Sequence, residues 1–136
     1  MKPLVVDASV AIKWFIPEEG SIEAVKLLGG RHTLIAPDLI RPEVCSILWK
    51  LCSRRLLTSD QARRIIDDFL SLSVEIHDSE SLVALAFDIA AATGRTVYDC
   101  LYLALAIETG GVMITADKRL ANALKNTDFA KLLRLL

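Results

Sequence analysis

Short apolar runs bounded by turn-forming residues alternate along this chain with longer stretches whose apolar positions recur every three or four residues. Leu4-Val5-Val6 reads as a strand that runs into Asp7, and Ser9 through Phe15 has apolar residues at helical spacing. Pro17-Glu18-Glu19-Gly20 stops that helix, and Ile22 to Leu28 makes a second one closed by Gly29-Gly30. Thr33 to Ala36 predicts another strand with Pro37-Asp38 as its exit, then a helix from near Pro42 to Leu51, proline being well tolerated in a first turn. Thr58-x-x-Gln61 is the signature of a capping box for a helix reaching Leu72, and Val74 to His77 is a short strand. Ser79 to Thr93 carries a stripe at Leu82, Leu85, Ala86, Ile89 and Ala90 ended by Gly94, and Thr96 to Ile107 repeats it, closed by Gly110-Gly111. Val112 to Thr115 is a compact strand, Leu120 to Leu124 starts a last helix, and Leu132 to Leu136 predicts an edge strand.

Strands alternating with helices imply an α/β fold with a parallel sheet covered on both faces. No linker or internal repeat interrupts the 136 residues, so one domain over residues 1–136 is expected. In such sheets ligands bind beyond the carboxyl ends of the strands. Asp7 and Asp117 both fall at or just after a strand's carboxyl end, which predicts one common rim for them.

Composition narrows the setting. With 53% hydrophobic residues and a mean hydropathy of +0.42, the chain is too apolar for disorder and rich enough to predict a partner over part of its surface. No run approaches the roughly 20 apolar residues that cross a bilayer. The opening Met1-Lys2-Pro3 leads to Asp7 without the apolar stretch of a signal peptide, so a soluble, cytoplasmic protein is expected. Cys45, Cys52 and Cys100 form no C-x-x-C pair and read as core-filling thiols. The net charge of −1 gives no overall field that would gather a polyanion, so nucleic acid would have to be bound by local patches or through a metal.

The chemistry lies in the acids. Asp7, Glu43, Asp99 and Asp117 each have an ordinary use: Asp7 and Asp117 as helix N-caps, Glu43 at the positive end of its helix, Asp99 in a possible Thr96-x-x-Asp99 capping box. Taken together, all four occur at strand ends or first helical turns that the predicted layout gathers on one rim. Two carboxylates about 4 Å apart repel by roughly 4 kcal/mol at an effective dielectric near 20, so a cluster of four ionised carboxylates calls for a cation. Oxygen ligands without histidine or thiolate select Mg²⁺ or Mn²⁺ over zinc. His32 and His77 have no metal-ligand spacing and read as structural or surface residues.

The residues around these acids carry a family resemblance. Leu4-Val5-Val6-Asp7-Ala8-Ser9, Pro42-Glu43-Val44, Tyr98-Asp99-Cys100-Leu101-Tyr102-Leu103-Ala104-Leu105-Ala106 and Ile114-Thr115-Ala116-Asp117-Lys118-Arg119-Leu120 resemble, in order and spacing, the acidic motifs of PIN-domain ribonucleases. The nearest likeness is to the VapC toxins of toxin–antitoxin pairs. The resemblance spans nearly the whole chain. It implies a three-layer α/β/α sandwich with a short central parallel sheet, Mg²⁺-dependent endonuclease activity on RNA, a homodimer and inhibition by a cognate antitoxin. Asp7, Glu43, Asp99 and Asp117 match the family's acidic quartet, and Ser9 and Thr115 match polar positions that support it.

The expected reaction is hydrolysis of an RNA phosphodiester, with Asp7 and Asp99 holding the principal ion and Glu43 and Asp117 completing its shell, binding a second ion or orienting the water. Arg54-Arg55, Arg63-Arg64, Arg95 and Lys118-Arg119 are candidates for phosphate contact, with Lys13 nearer the site than most, and a solvated helix face is the commoner use of any single such pair. Trp14-Phe15-Ile16 and Ile47-Leu48-Trp49 are expected in the core, with a partner interface as the other use of each. Two alternatives stand beside the nuclease. A non-catalytic metal-binding interaction module fits the apolar content. An aspartyl phosphotransferase with Asp7 as nucleophile fits less well, since a haloacid-dehalogenase-like site wants an acid where Ser9 stands and a receiver-type site wants an acidic pair at the first strand.

Overall fold

The computed structural model describes residues 2–136; Met1, the first residue of the expected span, lies outside them. Strands β1 (Leu4–Val6), β2 (Leu34–Pro37), β3 (Glu75–His77), β4 (Val112–Thr115) and β5 (Leu133–Leu135) form one parallel sheet in the order β3-β2-β1-β4-β5. The register sets Leu4 of β1 opposite Leu34 of β2 on one side and Val112 of β4 on the other. β1 and β2 are buried throughout and β4 nearly so, which is why they are spelled in Leu, Val, Ile and Met with little alternation. The edges β3 and β5 are more exposed and carry Glu75 and Arg134, charges that discourage pairing with another sheet.

The connecting helices are α1 (Ala8–Ala11), α2 (Ser21–Leu28), α3 (Ile40–Ser53), α4 (Ser59–Leu70), α5 (Val83–Thr93), α6 (Val97–Thr109) and α7 (Lys118–Leu124). From β1 the chain steps to β2 and β3 in one direction, then returns past β1 to β4 and β5. With right-handed crossovers, that reversal puts α1–α4 and α5–α6 on opposite faces, the three-layer arrangement the motifs imply. Packing of α3 with α4 and of α5 with α6 agrees with it. The most buried helix is α6: Cys100 through Ala106 are all buried, and it packs on α5, β1, β2 and β4.

Several expected boundaries move. The helix expected over Ser9–Phe15 is four residues of α-helix continued by a 3₁₀ turn over Ile12–Trp14, because apolar spacing alone does not separate bonds to the third residue from bonds to the fourth. α3 begins at Ile40, two residues before Pro42, which still sits in the first turn. Ser79–Thr93 divides into a 3₁₀ turn at Ser79–Ser81 and α5, because the Asp38 carboxylate binds both the N–H and the hydroxyl of Ser79 and Asp78 caps Glu80. Leu48 is buried as expected, but Trp49 beside it is 66% exposed on the outer side of α3. Trp14, Phe15 and Ile16 are half-buried against the core, the Trp14 indole N–H donating to the Ala24 carbonyl at 2.8 Å. Cys100 is buried, Cys45 and Cys52 are half-buried, and all three are free thiols. No helix among the described residues is long and apolar enough to cross a membrane.

Candidate active site

The reversal of direction in the sheet lies between β1 and β4, and the carboxyl ends of those two strands open the crevice where doubly wound sheets bind ligands. β1 delivers Asp7. Its backbone is extended, and its carboxylate caps α1 by accepting from the Val10 N–H at 3.1 Å. The same oxygen accepts from the Ser9 hydroxyl at 2.5 Å, and the other accepts from the Thr115 hydroxyl at 2.5 Å. Burial nevertheless pushes the Asp7 carboxyl above its ordinary range against the pull of these three bonds, and the charge of Asp117 adds to the rise.

β4 delivers Thr115 and Asp117. Thr115 is fully buried, and its hydroxyl oxygen accepts from the Asp117 N–H at 3.0 Å. Ser9 accepts from the Ala116 N–H at 3.0 Å, so the turn after β4 is fastened to the start of α1 by two hydroxyls. Asp117 caps α7 through one oxygen, which accepts from the N–H groups of Arg119 at 3.0 Å and Leu120 at 3.3 Å. The capping uses expected of Asp7 and Asp117 are therefore present in full, and each carboxylate keeps acceptor capacity beyond them.

Glu43 and Asp99 arrive from the helices that follow β2 and precede β4. Glu43 lies in the first turn of α3 and accepts from the buried Tyr102 hydroxyl at 2.5 Å. Burial raises its carboxyl, the Tyr102 bond offsets part of that, and the charges of Asp7 and Asp99 raise it further. Thr96 caps α6 by accepting from the Asp99 N–H at 3.1 Å, but the return bond of a capping box, from the Thr96 N–H to the Asp99 carboxylate, is absent. Burial raises the Asp99 carboxyl, Thr96 counters it, Asp117 raises it again and Arg95 lowers it slightly. Through these pairs the field of every acid in the quartet reaches at least one other.

The sequence motifs give Tyr102 no part of its own. Burial, and then the negative charge of Glu43, push its phenol well above the ordinary range, so it remains a donor. The signal that finds it is its distance of three residues from Asp99, which puts both side chains on one face of α6.

The donor chemistry suits a hard divalent cation. Within 4 Å among the described residues Lys13 pairs with Glu18 at 3.0 Å and the His77 ring lies 2.7 Å from the Glu75 carboxylate; neither contact includes the quartet. Four carboxylates thus share a rim with no bridging side-chain cation, and three of them are held above their ordinary ionisation range. Among the described residues no three carboxylate, imidazole or thiol side chains close around one ion-sized point. Asp7, Asp117 and Glu43 are each turned toward neutral N–H or O–H donors, as uncompensated anions are expected to be. Of the basic residues expected to meet phosphate, Lys13 is engaged with Glu18 and the Glu19 carbonyl, and Arg95, whose Nε is buried without a partner, is the one whose charge reaches Asp99. The histidines stand apart, His77 on Glu75 and His32 on the Lys2 carbonyl.

The fold is one found elsewhere. Residues 4–126 match the profile of the PIN domain. Ribonuclease VapC3 of Pyrobaculum aerophilum is 36% identical over 120 residues, which cover 87% of this chain and 92% of that protein. Among solved structures, PAE2754 from the same organism superposes with a TM-score of 0.69 at 26% identity, over 93% of this chain and 82% of that one. A toxin–antitoxin complex from Klebsiella pneumoniae shares the fold, with a TM-score of 0.68 at 13% identity, over 98% of this chain and 95% of that one. The chain belongs to the PIN domain family, within its VapC branch.

Proposed function

We propose that this chain is a Mg²⁺- or Mn²⁺-dependent endoribonuclease and the toxin of a toxin–antitoxin pair. The observation that carries the reading is the convergence of Asp7, Glu43, Asp99 and Asp117, from four separate segments, on the sheet's reversal point with no bridging basic side chain. The identity to a protein named ribonuclease VapC3 supports RNA as the substrate. A divalent ion at such a rim supplies Lewis acidity, charge neutralisation on the phosphate and a lowered pKa for the attacking water. In this reading Asp7 and Asp99 hold the ion, while Glu43 and Asp117 complete its surroundings or accept the water's proton. Ser9 and Thr115 fix the two oxygens of Asp7, and Arg95 and Lys118-Arg119 supply positive charge for the RNA backbone.

The expected partners belong to the same proposal. The groove lined by Lys13, Trp14, Phe15, Pro17, Ile22 and Val25, about 400 Å³ in volume, offers an apolar seat for an antitoxin segment. Exposed Trp49 on α3 supplies apolar surface for a homodimer. A cytoplasmic setting goes with an RNA substrate.

The test is incubation of pure protein with structured and single-stranded RNAs in Mn²⁺, Mg²⁺ or EDTA, with Asp7→Asn and Asp99→Asn as controls. Metal-dependent cleavage lost in both variants is expected. Equal cleavage in EDTA, or full activity in either variant, overturns the assignment. Phosphate release from small phosphoesters without RNA cleavage moves it to a phosphotransferase, and metal binding with neither activity moves it to a binding module.

A further inference from the structure

Tyr102 is 2% exposed and sits in the middle of the run Cys100–Ala106, where its hydroxyl is a polar group among apolar side chains. A buried tyrosine hydroxyl requires a hydrogen-bond partner, and a backbone carbonyl would satisfy it. Here the partner is instead a carboxylate 59 positions away, on a different helix. Among the described residues that hydroxyl is the only group hydrogen-bonded to the Glu43 side chain. The contrast with the other acids of the rim is informative: Asp7 and Asp117 are short and held by N–H groups of their own helices. Glu43 has a longer side chain and correspondingly more rotamer freedom to lose. Because Asp99 and Tyr102 lie on one face of α6, that helix presents both an acid and the donor that grips the acid of α3.

We propose that Tyr102 is a positioning residue of the acidic rim: its hydroxyl holds Oε1 of Glu43 and leaves Oε2 as that side chain's free ligand atom for a divalent ion. The proposal rests on the metal-dependent reading above. The bond fixes the spacing between the acids of α3 and α6, so the metal affinity depends on a residue that is not itself a ligand. Loss of such an orienting partner typically weakens metal binding about 10–100-fold.

The experiment is Mn²⁺ titration calorimetry on the wild type, Tyr102→Phe, Glu43→Gln, the double variant and Asp99→Asn, at pH 7.5 and low temperature, with melting curves for each. Tyr102→Phe keeps the ring and is expected to fold, to bind Mn²⁺ about 10–100-fold more weakly, and to have almost no additional effect in the Glu43→Gln background. Wild-type affinity in Tyr102→Phe overturns the proposal. So does an equal loss of affinity in both backgrounds, and so does a lowered melting temperature with unchanged Mn²⁺ binding by the folded protein, since either assigns the hydroxyl to the fold. Failure of the underlying reading looks different: the wild type and Asp99→Asn would then bind Mn²⁺ alike, and the Tyr102 proposal would fall with it.

Discussion

Thr115 has no exposed surface, yet its hydroxyl serves both strands of the crevice, donating to Asp7 and accepting from the Asp117 N–H. Thr115→Val keeps the shape and removes both bonds, leaving buried or half-buried polar groups unpaired at about 1–3 kcal/mol. A lower melting temperature and weaker cleavage are expected, with Thr115→Ser closer to the wild type; a valine variant as stable as the wild type would refute the role. The carboxyls themselves act in the opposite direction. Asp7, Glu43 and Asp99 have raised values in the folded protein, chiefly through burial. The resulting stabilisation is complete below about pH 4, where the unfolded carboxyls are also protonated, and is lost as pH rises through the raised values. Without metal, Asp99→Asn is therefore expected to melt above the wild type at pH 8, with the advantage fading toward pH 3. An advantage that grows on acidification would contradict the sign. At this scale the acids, Ser9 and Thr115 were legible as motif residues. Tyr102 was not, because its partner is on another helix and only packing brings them together.

Element boundaries follow local chemistry where the chemistry is distinctive. Thr58 and Gln61 form both bonds of the capping box read from their spacing. Thr58→Ala is expected to cost about 1 kcal/mol and to leave cleavage unchanged, as measured by melting and by RNA turnover. Thr96 and Asp99 have the same spacing and form only half of the motif, because spacing permits the return bond without requiring it. Gly111 joins α6 to β4 at a close approach: a Cβ there would lie 2.5 Å from the Pro3 carbonyl oxygen, the atom that also accepts from the Val112 N–H. Gly111→Ala must push β4 away from the residue before β1, at about 1–3 kcal/mol for an overpacked site. Since β1 and β4 carry Asp7 and Asp117, cleavage should fall along with the melting temperature. Unaltered melting would show that the strands yield without cost. The misjudged elements are those where periodicity was weak information: the turn after α1, the capped start of α5, and Trp49, whose helical spacing gave no sign that its side of α3 is uncovered.

For the whole molecule the net charge of −1 conceals a local concentration of negative charge, four acids on one rim. A divalent ion bound by the folded state alone stabilises by about 2.7 kcal/mol at 100 times its Kd, which for a chain of this size is a rise of roughly 10 °C in melting temperature. That rise is expected with Mn²⁺ at pH 7.5, and it should vanish near pH 4 and in Asp99→Asn. An equal rise in that variant would place the ion elsewhere.

The sequence alone determined the alternation of strands and helices and the parallel sheet, and it singled out the candidate acids, because these follow from local periodicity, capping and residue chemistry. Tertiary structure decided that the sheet reverses between β1 and β4, that Glu43 meets Tyr102 across 59 residues, and which apolar side chains stay exposed. Those outcomes depend on how whole elements pack, and a pattern read along one dimension does not contain the distance between positions remote in the chain.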